Sequence, residues 1–443
     1  WTVHDVIVMN AKVIAVVDQD SGNPVAITQY DESSISSAMR IHQAVEHAPV
    51  SVSIGQAGGP GLKEGAGAVV LDFDLSPRLD AILGRSADMN KLLESAARAI
   101  IDGLFPAGAS SRMPSIAITG TNGKTTTTRM INQVLRQAGR KTGMVCTDGI
   151  FLDGEKYREG DLGTVLGHVQ VLTNQTVDTA VLETHHKGIL RRGFAFDSCD
   201  IAVCLNVTDD HLGDEFIETV GQMARVKQAL PERARDAAIL NADDPNCLAM
   251  VPALKAQQVC LVSMISAVDE LRGLLKNQAG SFCVLEKTAA DDWIVMYQKG
   301  MRIPIVPVSS IPATFDGAAR FNVSNAMHAI AASCLSGIEP EKIQRAMCEF
   351  EAGPETTPGR MNVFDDLPFR IIMDFAHNPD GMRRICEFVD AQTVAGRKVL
   401  AFSGIIDRRD ETIKNVGRAV AGHFDFYFCK DYVRTEEKAT RSV

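Results

Sequence analysis

Residues 116–128 constrain the fold of this chain more than any other stretch. A short apolar run ends at a glycine-containing turn, and Lys124 then opens a helical pattern that stops at Gly139. Turn amides and the free N–H groups of a helix start bind phosphates, while a lysine and a hydroxyl at this spacing reach the terminal phosphates and Mg²⁺. The alternative is a glycine turn that merely precedes an amphipathic helix. We predict that seven consecutive residues bind ATP: Gly120, Thr121, Asn122, Gly123, Lys124, Thr125 and Thr126.

Length and composition limit the classes of protein to which the chain can belong. Its 443 residues exceed what one hydrophobic core supports, so about two to four domains are expected. A formal net charge of −10 does not favour nucleic-acid binding, and no apolar stretch is long enough to span a membrane. The ten scattered cysteines include no Cys-x-x-Cys pair, which predicts reduced thiols. We therefore expect a cytoplasmic protein without nucleic-acid or membrane partners.

Two breaks, at residues 105–108 and 353–359, divide the chain into three sections. Residues 1–108 form a short α+β section in this interpretation. Apolar strands alternate with helical stretches in residues 109–354, which predicts an α/β domain with a mostly parallel sheet covered on both faces. Residues 355–443 contain further strands separated by helices, which predicts a smaller C-terminal α/β domain.

Polar side chains follow two strands predicted near the phosphate loop. The strand at residues 177–182 is followed by Glu183, and the strand at residues 200–205 leads into a loop that contains His211. Ligands bind at the carboxyl ends of parallel strands, where the phosphate loop also lies. We therefore predict that Thr125, Glu183 and His211 bind Mg²⁺ beside the triphosphate. Taken singly, Glu183 could instead cap a helix, and His211 could be a solvated loop residue.

Lys227 lies on the apolar face of a predicted helix, in line with Val220, Met223 and Leu230. A buried ammonium without a partner is costly, so a lysine in this position is paired or chemically altered. Reaction of its amine with CO₂ would produce an anion that can bind a metal. The alternative is a lysine whose stem packs while its charged end reaches the solvent.

Eight motifs occur in an order that resembles the Mur ligases, which activate a carboxylate with ATP as an acyl phosphate and couple it to an amine. They occupy residues 120–126, 182–184, 206–211, 224–227, 240–244, 322–325, 358–360 and 374–381. Within that superfamily the chain most resembles the Mur-ligase half of the cyanophycin synthetases. Further matching motifs lie at residues 104–108, 111–114, 147–150, 188–192 and 407–411.

The resemblance implies roles for single residues. It implies that Lys124, His211 and a carbamylated Lys227 serve catalysis, with Lys227 binding a second Mg²⁺. Residues that bind the nucleotide would be Asn325, near the adenine, Arg360 and Asp374. Substrate-facing residues of the closing C-terminal domain would be His377, Asn378, Asp407 and Arg408, the last two beside the incoming amine.

The chain departs from the cyanophycin synthetase pattern at three places. One is the segment 160–168, which lacks the expected Gly-Pro-x-Ser-Ala pattern and is predicted to line the acceptor pocket. Where that family has Ala-Arg-Gly after the Glu-Thr pair, this chain has His185, His186 and Lys187, which we predict to contact a different acceptor. Residues 69–78 resemble the end of an ATP-grasp domain, but residues 1–108 are too few for a complete one. Residues 1–108 are interpreted as a remnant of an ATP-grasp domain.

These patterns together predict an ATP-dependent, ADP-forming amide ligase with ATP and Mg²⁺ as cofactors. By resemblance, arginine is the amine and the side chain of a poly-aspartate is the acceptor, and another amino acid or peptide remains open. A separate ATP-grasp partner and a homo-oligomer are also expected. One alternative is a folylpolyglutamate- or poly-γ-glutamate-type ligase with the same core. Another is a non-catalytic subunit that binds ATP and scaffolds a partner.

Overall fold

The computed structural model describes the backbone of residues 51–56 and 69–74 and the whole of residues 113–174, 176–213, 216–275, 279–403 and 408–430. The chain falls into two compact units. Strands of residues 51–56 and 69–74 belong to the first, together with Val169–Asp178 and Ala195–Asp197; the second contains Ser115–His168, Thr179–Phe194 and the chain from Ser198 onwards. All site geometry below lies in the second unit. The predicted boundaries at residues 108 and 354 stay predictions, and Asp407 lies outside the described residues.

Strands β1 (Ser51–Gln56) and β2 (Val69–Asp74) pair antiparallel. The strands of the large sheet are β3 (Ser115–Thr119), β4 (Thr142–Cys146), β5 (Gly149–Leu152), β6 (Glu155–Glu159), β7 (Thr179–Glu183), β8 (Cys199–Cys204), β9 (Ala234–Asn241), β10 (Gln258–Ser263), β11 (Gly280–Lys287), β12 (Asp292–Gln298) and β13 (Met301–Pro307). The C-terminal strands are β14 (Asn362–Phe364), β15 (Ile371–Met373), β16 (Val399–Ser403) and β17 (Phe426–Lys430).

The α-helices are α1 (Lys124–Gln137), α2 (Val165–Leu172), α3 (His186–Arg192), α4 (Val220–Gln228), α5 (Pro245–Leu248), α6 (Val268–Leu275), α7 (Arg320–Leu335), α8 (Pro340–Cys348), α9 (Pro379–Asp390) and α10 (Asp410–Val420). Short 3₁₀ turns occupy Pro231–Arg233, Val251–Ala253, Val308–Ser310 and Pro312–Thr314. No helix in the described part of the chain combines the length and apolar character needed to cross a membrane.

The large sheet has the strand order β13-β12-β11-β10-β9-β8-β3-β7-β4-β5-β6. Its strands from β11 to β4 are parallel, and antiparallel strands extend it at both edges. The parallel strands are nearly continuous apolar runs because both of their faces are covered. A mostly parallel sheet was predicted from the alternating strands and helices, and this prediction is confirmed.

Helix α7 lies in the middle of the core. It packs against α1, α8 and the strands β8 to β11. Residues on almost all of its sides are buried, as expected of a helix that is apolar around its circumference: Val323, Ala326, Met327, Ala329, Ile330, Ala331 and Ala332. Truncating a buried side chain such as Met327 in such a core costs about 2–5 kcal/mol.

The strand register determines which residues meet at the carboxyl edge of the sheet. Ile118 on β3 pairs with Glu183 on β7 and with Val203 on β8. The loop after β3 therefore begins between Glu183 and the end of β8. In the C-terminal part, β14 and β15 pair antiparallel, β16 and β17 pair parallel, and α9 packs against α10.

Candidate active site

The phosphate loop lies between β3 and α1 and is held by Asn206, two residues beyond the end of β8. Asn206 Oδ1 accepts hydrogen bonds from the amides of Thr121 (3.0 Å) and Asn122 (2.8 Å), and its Nδ2 donates to the Asn122 carbonyl (3.0 Å). Gly123 precedes α1 with φ 88°, and a Cβ there would lie 2.2 Å from Asn325 Oδ1. Only glycine fits this position without a shift of its neighbours.

Lys124 bends back over the loop. Its Nζ donates to the carbonyls of Gly120 (3.1 Å) and Thr121 (2.9 Å). The first turn of α1 contains this lysine with Thr125 and Thr126 and no acidic residue. A lysine beside the free N–H groups of a helix start makes this end of α1 a site for an anion.

Glu183 is a fully buried carboxylate surrounded by donors. It accepts from Thr125 Oγ1 (3.0 and 3.2 Å), from the Thr147 amide and hydroxyl (both 3.0 Å) and from His185 Nε2 (2.9 Å). Burial raises the pKa of Glu183, but the His185 hydrogen bond and the charges of His185 and Lys124 outweigh it and lower the pKa to about 2. Glu183 is therefore an anion held at the loop.

Lys227 is buried on α4, with 3% of its surface exposed. The helix begins with a capping box between Thr219 and Gln222. Lys227 Nζ donates to the Gly120 carbonyl at 2.7 Å. Burial, followed by the charge of Lys124, lowers the pKa of Lys227 to about 7. The predicted inward position is confirmed, and a large part of the amine is neutral near pH 7.

His211 and Asp210 contact the C-terminal part of the chain. Arg408 Nε donates to Asp210 Oδ1 (2.7 Å), and Arg408 Nη2 lies 2.8 Å from His211 Nε2. His377 Nε2 lies 3.5 Å from Asp210 Oδ2. Burial raises the pKa of Asp210, but the hydrogen bond from His377 and the charges around it hold that pKa well below its usual range. Burial lowers the pKa of His211 to about 3.

Asn378 connects the C-terminal part to the phosphate loop directly. Its Nδ2 donates to Asn122 Oδ1 (2.8 Å) and to Asp210 Oδ2 (3.2 Å), while Asn122 Nδ2 donates back to Asn378 Oδ1 (3.2 Å). Asn378 Oδ1 also accepts from the Gly381 amide (2.8 Å) at the start of α9. The loop and the N-terminus of α9 therefore form one hydrogen-bonded network.

The three predicted nucleotide-binding residues outside the loop line the same cavity. Asn325 on α7 donates from Nδ2 to Asn322 Oδ1 (3.1 Å) beside Gly123. The Arg360 guanidinium lies 4.3 Å from the centre of the Phe375 ring. Asp374 accepts from the Met361 and Ala376 amides (3.0 and 2.8 Å), and burial raises its pKa.

The three residues that depart from the family pattern have different surroundings. His185 contacts Glu183 as described, and its Nδ1 lies 3.2 Å from Asp161 Oδ1. The ring of His186 lies 4.5 Å from that of His211, centre to centre. Burial, then the charge of Lys227, holds the pKa of His186 far below its usual range. His185, His186 and Lys187 all line the cavity.

The cavity has a volume of about 840 Å³, within the range of small-molecule sites. A nucleotide triphosphate with a divalent cation fits its residues. The helix start and Lys124 suit the phosphates, while Glu183 and Thr125 offer the oxygen ligands that Mg²⁺ prefers. His211 and Lys227 line the same space. The structure thus brings together every described residue predicted for the site.

Sequence reasoning missed several residues of this arrangement. Asn206 and Asp210 lie in motifs that were recognised, but no contact was predicted for either. Thr147 follows the end of β4, and a hydroxyl at the carboxyl end of a parallel strand is a signal that could have indicated it. Asp161 lies in the segment 160–168, which was predicted to line the acceptor pocket, but its contact with His185 was not predicted.

A parallel sheet with a glycine-containing loop before α1 defines an α/β protein of the phosphate-loop class. Residues 118–333 match the family model described as the Mur ligase middle domain, and residues 359–442 match the Mur ligase glutamate ligase domain. The chain belongs to the Mur ligase superfamily.

Individual relatives agree with this assignment. Cyanophycin synthetase of Geminocystis herdmanii is 37% identical over 346 residues, which are 77% of this chain and 38% of that relative. The UDP-N-acetylmuramoyl-L-alanyl-D-glutamate–2,6-diaminopimelate ligase of Caldanaerobacter subterraneus is 29% identical over 378 residues, 82% of this chain and 70% of that relative. Escherichia coli FolC in complex with ADP has the same fold, with a TM-score of 0.54 and 19% identity over 74% of this chain and 76% of that one.

Proposed function

We propose that the chain is an ATP-dependent, ADP-forming amide ligase that activates a carboxylate as an acyl phosphate and couples it to an amino acid. The proposal rests on one observation, which is that groups suited to bind phosphate and a cation line the same cavity as residues of the C-terminal part. The phosphate loop with Lys124, the anion Glu183, and Asp374 and His377 from the C-terminal part all line it. A reaction in which a carboxylate attacks the γ-phosphate needs these groups around one point.

In the proposed reaction, Lys124 neutralises charge that develops on the transferred phosphoryl group. Thr125, Glu183 and His211 would hold a divalent cation, which supplies further charge neutralisation when bound. The acceptor carboxylate attacks the γ-phosphorus and ADP leaves, which forms the acyl phosphate. The amine then attacks its carbonyl carbon, so that the C–N bond forms, the C–O bond to phosphate breaks and the amine nitrogen loses one proton. Asn378 connects the C-terminal part to Asn122 of the phosphate loop, and Arg408 connects it to Asp210 beyond β8. This closure would keep water away from the reactive acyl phosphate.

Lys227 is proposed to act as a carbamate. Its neutral amine, available because burial lowers the pKa to about 7, attacks CO₂ and releases one proton. The product carries one negative charge in the place of a neutral amine that is hydrogen-bonded to the Gly120 carbonyl. That anion provides a ligand for a second cation, whose charge would offset the cost of burying the carbamate.

The substrates are proposed from the relatives and from the charge of the cavity. Arg191 and Arg384 line it, which suits an anionic acceptor such as the side chain of a poly-aspartate. Arginine as the amine is proposed from the resemblance of the motifs to the cyanophycin synthetases. This chain covers 38% of the length of the Geminocystis herdmanii relative. A separate ATP-grasp partner and assembly with further copies of this chain stay predictions.

ADP release with each amino acid, with and without cyanophycin primer, tests the proposal. We expect release that depends on one or a few amino acids and falls by about 100-fold or more in Lys124→Ala. Replacing the exposed Lys141 by alanine is the control and should change nothing. ADP release that Lys124→Ala leaves intact contradicts the assignment of the ATP site.

The same assay separates the two alternatives. Turnover that requires glutamate and a folate or poly-γ-glutamate acceptor supports the folylpolyglutamate-type ligase. Tight binding of ATP without ADP release for any amino acid, acceptor or added ATP-grasp partner supports the scaffold subunit.

A further inference from the structure

His185 lies between two carboxylates at the candidate cation site. Its Nε2 is 2.9 Å from Glu183 Oε1, and its Nδ1 is 3.2 Å from Asp161 Oδ1. Gly163 leaves room for the ring in this orientation, because a Cβ at that position would lie 2.7 Å from Nε2. The His185 amide also donates to the Gly163 carbonyl at 2.9 Å.

Glu183 and the side chains within hydrogen-bond distance of it offer five atoms that can bind a cation. Thr125 and Thr147 contribute hydroxyl oxygens, Glu183 its two carboxylate oxygens and His185 a ring nitrogen. The imidazole is the chemical exception in this oxygen-rich set. It also stands where the cyanophycin synthetase pattern has a small residue.

The second ring nitrogen of His185 has the partner that a metal-bound histidine needs. Histidines that bind metals usually donate their other N–H to a carboxylate or a carbonyl, which fixes the tautomer and the ring orientation. A cation on Nε2 would displace the proton from that nitrogen to solvent. Nδ1–H would then donate to Asp161, whose side chain is half exposed and free to adjust.

A second imidazole, that of His186, lines the same cavity. His186 is 8% exposed, and its Nε2 has no hydrogen-bond partner among the residues that the structure describes. A buried ring nitrogen without a partner is costly unless a ligand completes it. The ring of His186 lies 4.5 Å from that of His211, centre to centre.

We propose that His185 Nε2 is an additional ligand of the cation held by Glu183 and Thr125, oriented by Asp161, and that it makes the site select a divalent transition cation over Mg²⁺. Imidazole suits transition cations, whereas Mg²⁺ prefers oxygen ligands. The proposal rests on the proposed function only in that the cation accompanies ATP. It changes the predicted role of His185 from acceptor contact to cation ligand.

The test is a titration of the protein with Co²⁺ and with Mg²⁺ in the presence of a non-hydrolysable ATP analogue. Binding is followed by calorimetry, and the visible absorption of Co²⁺ reports nitrogen ligation independently of activity. In His185→Gln we expect Co²⁺ to bind about 10–100-fold more weakly with altered absorption bands, and Mg²⁺ affinity to change less than about threefold. The comparison is between variants because the nucleotide itself also prefers Co²⁺.

Two further variants keep the test decisive. Asp161→Asn alters a half-exposed residue and should weaken Co²⁺ binding by about tenfold while the nitrogen bands remain. His423→Gln, on an exposed histidine paired with Asp390, is the matched control and should leave both affinities unchanged. Thermal unfolding without metal establishes that each variant is folded.

Unchanged Co²⁺ affinity and absorption in both His185→Gln and Asp161→Asn would overturn the proposal. Equal losses of Co²⁺ and Mg²⁺ affinity would do the same, because they indicate a general defect of the site. If the Co²⁺ affinity and absorption bands depend on His185 but no amide product forms, the proposed function fails and this inference stands. If product forms and the Co²⁺ affinity and bands do not depend on His185, the inference alone fails.

Discussion

Replacing Gly123 by alanine tests the geometry of the phosphate loop against a control on the same helix. Gly123 precedes α1 with φ 88°, and Gly139 follows it with φ 91°. An added Cβ at Gly123 would lie 2.2 Å from Asn325 Oδ1, whereas at Gly139 it would meet no atom within 4 Å. The two substitutions therefore share the backbone strain and differ in the steric clash.

The expected costs follow from this difference. A left-handed backbone costs an alanine about 1–2 kcal/mol, and Gly139→Ala should lose only that amount of unfolding free energy. Gly123→Ala adds the clash with Asn325, which cannot rotate away without losing its hydrogen bond to Asn322. Overpacking of this kind costs about 1–3 kcal/mol, so the total is about 2–5 kcal/mol. For domains of this size, each kcal/mol corresponds to about 2–4 °C in Tm.

Two measurements check the reasoning. Thermal unfolding should rank Gly123→Ala below Gly139→Ala, and Gly139→Ala below the unaltered chain. Binding of a non-hydrolysable ATP analogue, followed by calorimetry, should weaken by about tenfold or more in Gly123→Ala, which corresponds to about 1.4 kcal/mol, and should be unchanged in Gly139→Ala. Equal Tm values for the two variants, or unimpaired nucleotide binding by Gly123→Ala, would refute the close approach of Asn325 to the loop.

Three further predictions concern other parts of the molecule. If Lys227 is carbamylated, Lys227→Ala should release almost no ADP, and acetate or propionate should restore part of the activity. The same acids should not restore Lys124→Ala. A Lys227→Ala chain that is active without them contradicts the prediction. Burial lowers the pKa of His328 to about 4, below its unfolded value of 6.5, so the unfolded chain binds more protons between these pH values. The contribution of His328 to the free energy of unfolding, about 3 kcal/mol, should be present above pH 6.5 and lost as the pH falls through 4. Urea unfolding of His328→Leu at several pH values should lack this part of the pH dependence. Lys187→Gly should improve use of cyanophycin primer with arginine, whereas Lys299→Gly on an exposed turn should not; good use of the primer by the unaltered chain would count against Lys187 as a discriminating residue.

Short-range patterns in the sequence were sufficient to predict the class of fold. The phosphate loop is specified by a few adjacent residues, because its function depends on local turn amides and the start of one helix. Apolar runs that alternate with helical periodicity indicated the parallel sheet, and the apolar stripe on α4 indicated that Lys227 is buried. Each of these signals depends on residues that lie close together in the sequence.

Contacts between distant residues could not be predicted in the same way. Asn122 meets Asn378 across 256 positions, and Arg408 meets Asp210 across 198. Such contacts follow from how complete elements pack, and a one-residue change in register or a small rotation of a helix would remove them. The motifs indicated that these residues serve one site, but not which atoms meet.

The surroundings of His185 show where sequence reasoning ends most clearly. The sequence identified it as a departure from the family pattern, and its position after Glu183 suggested an acceptor contact. Only the tertiary structure decided that its ring turns back onto Glu183 and towards Asp161. The physical reason is that the direction of a side chain at the start of a helix is determined by the loops that pack against it, here at Gly163, and loop packing leaves no periodic signal in the sequence.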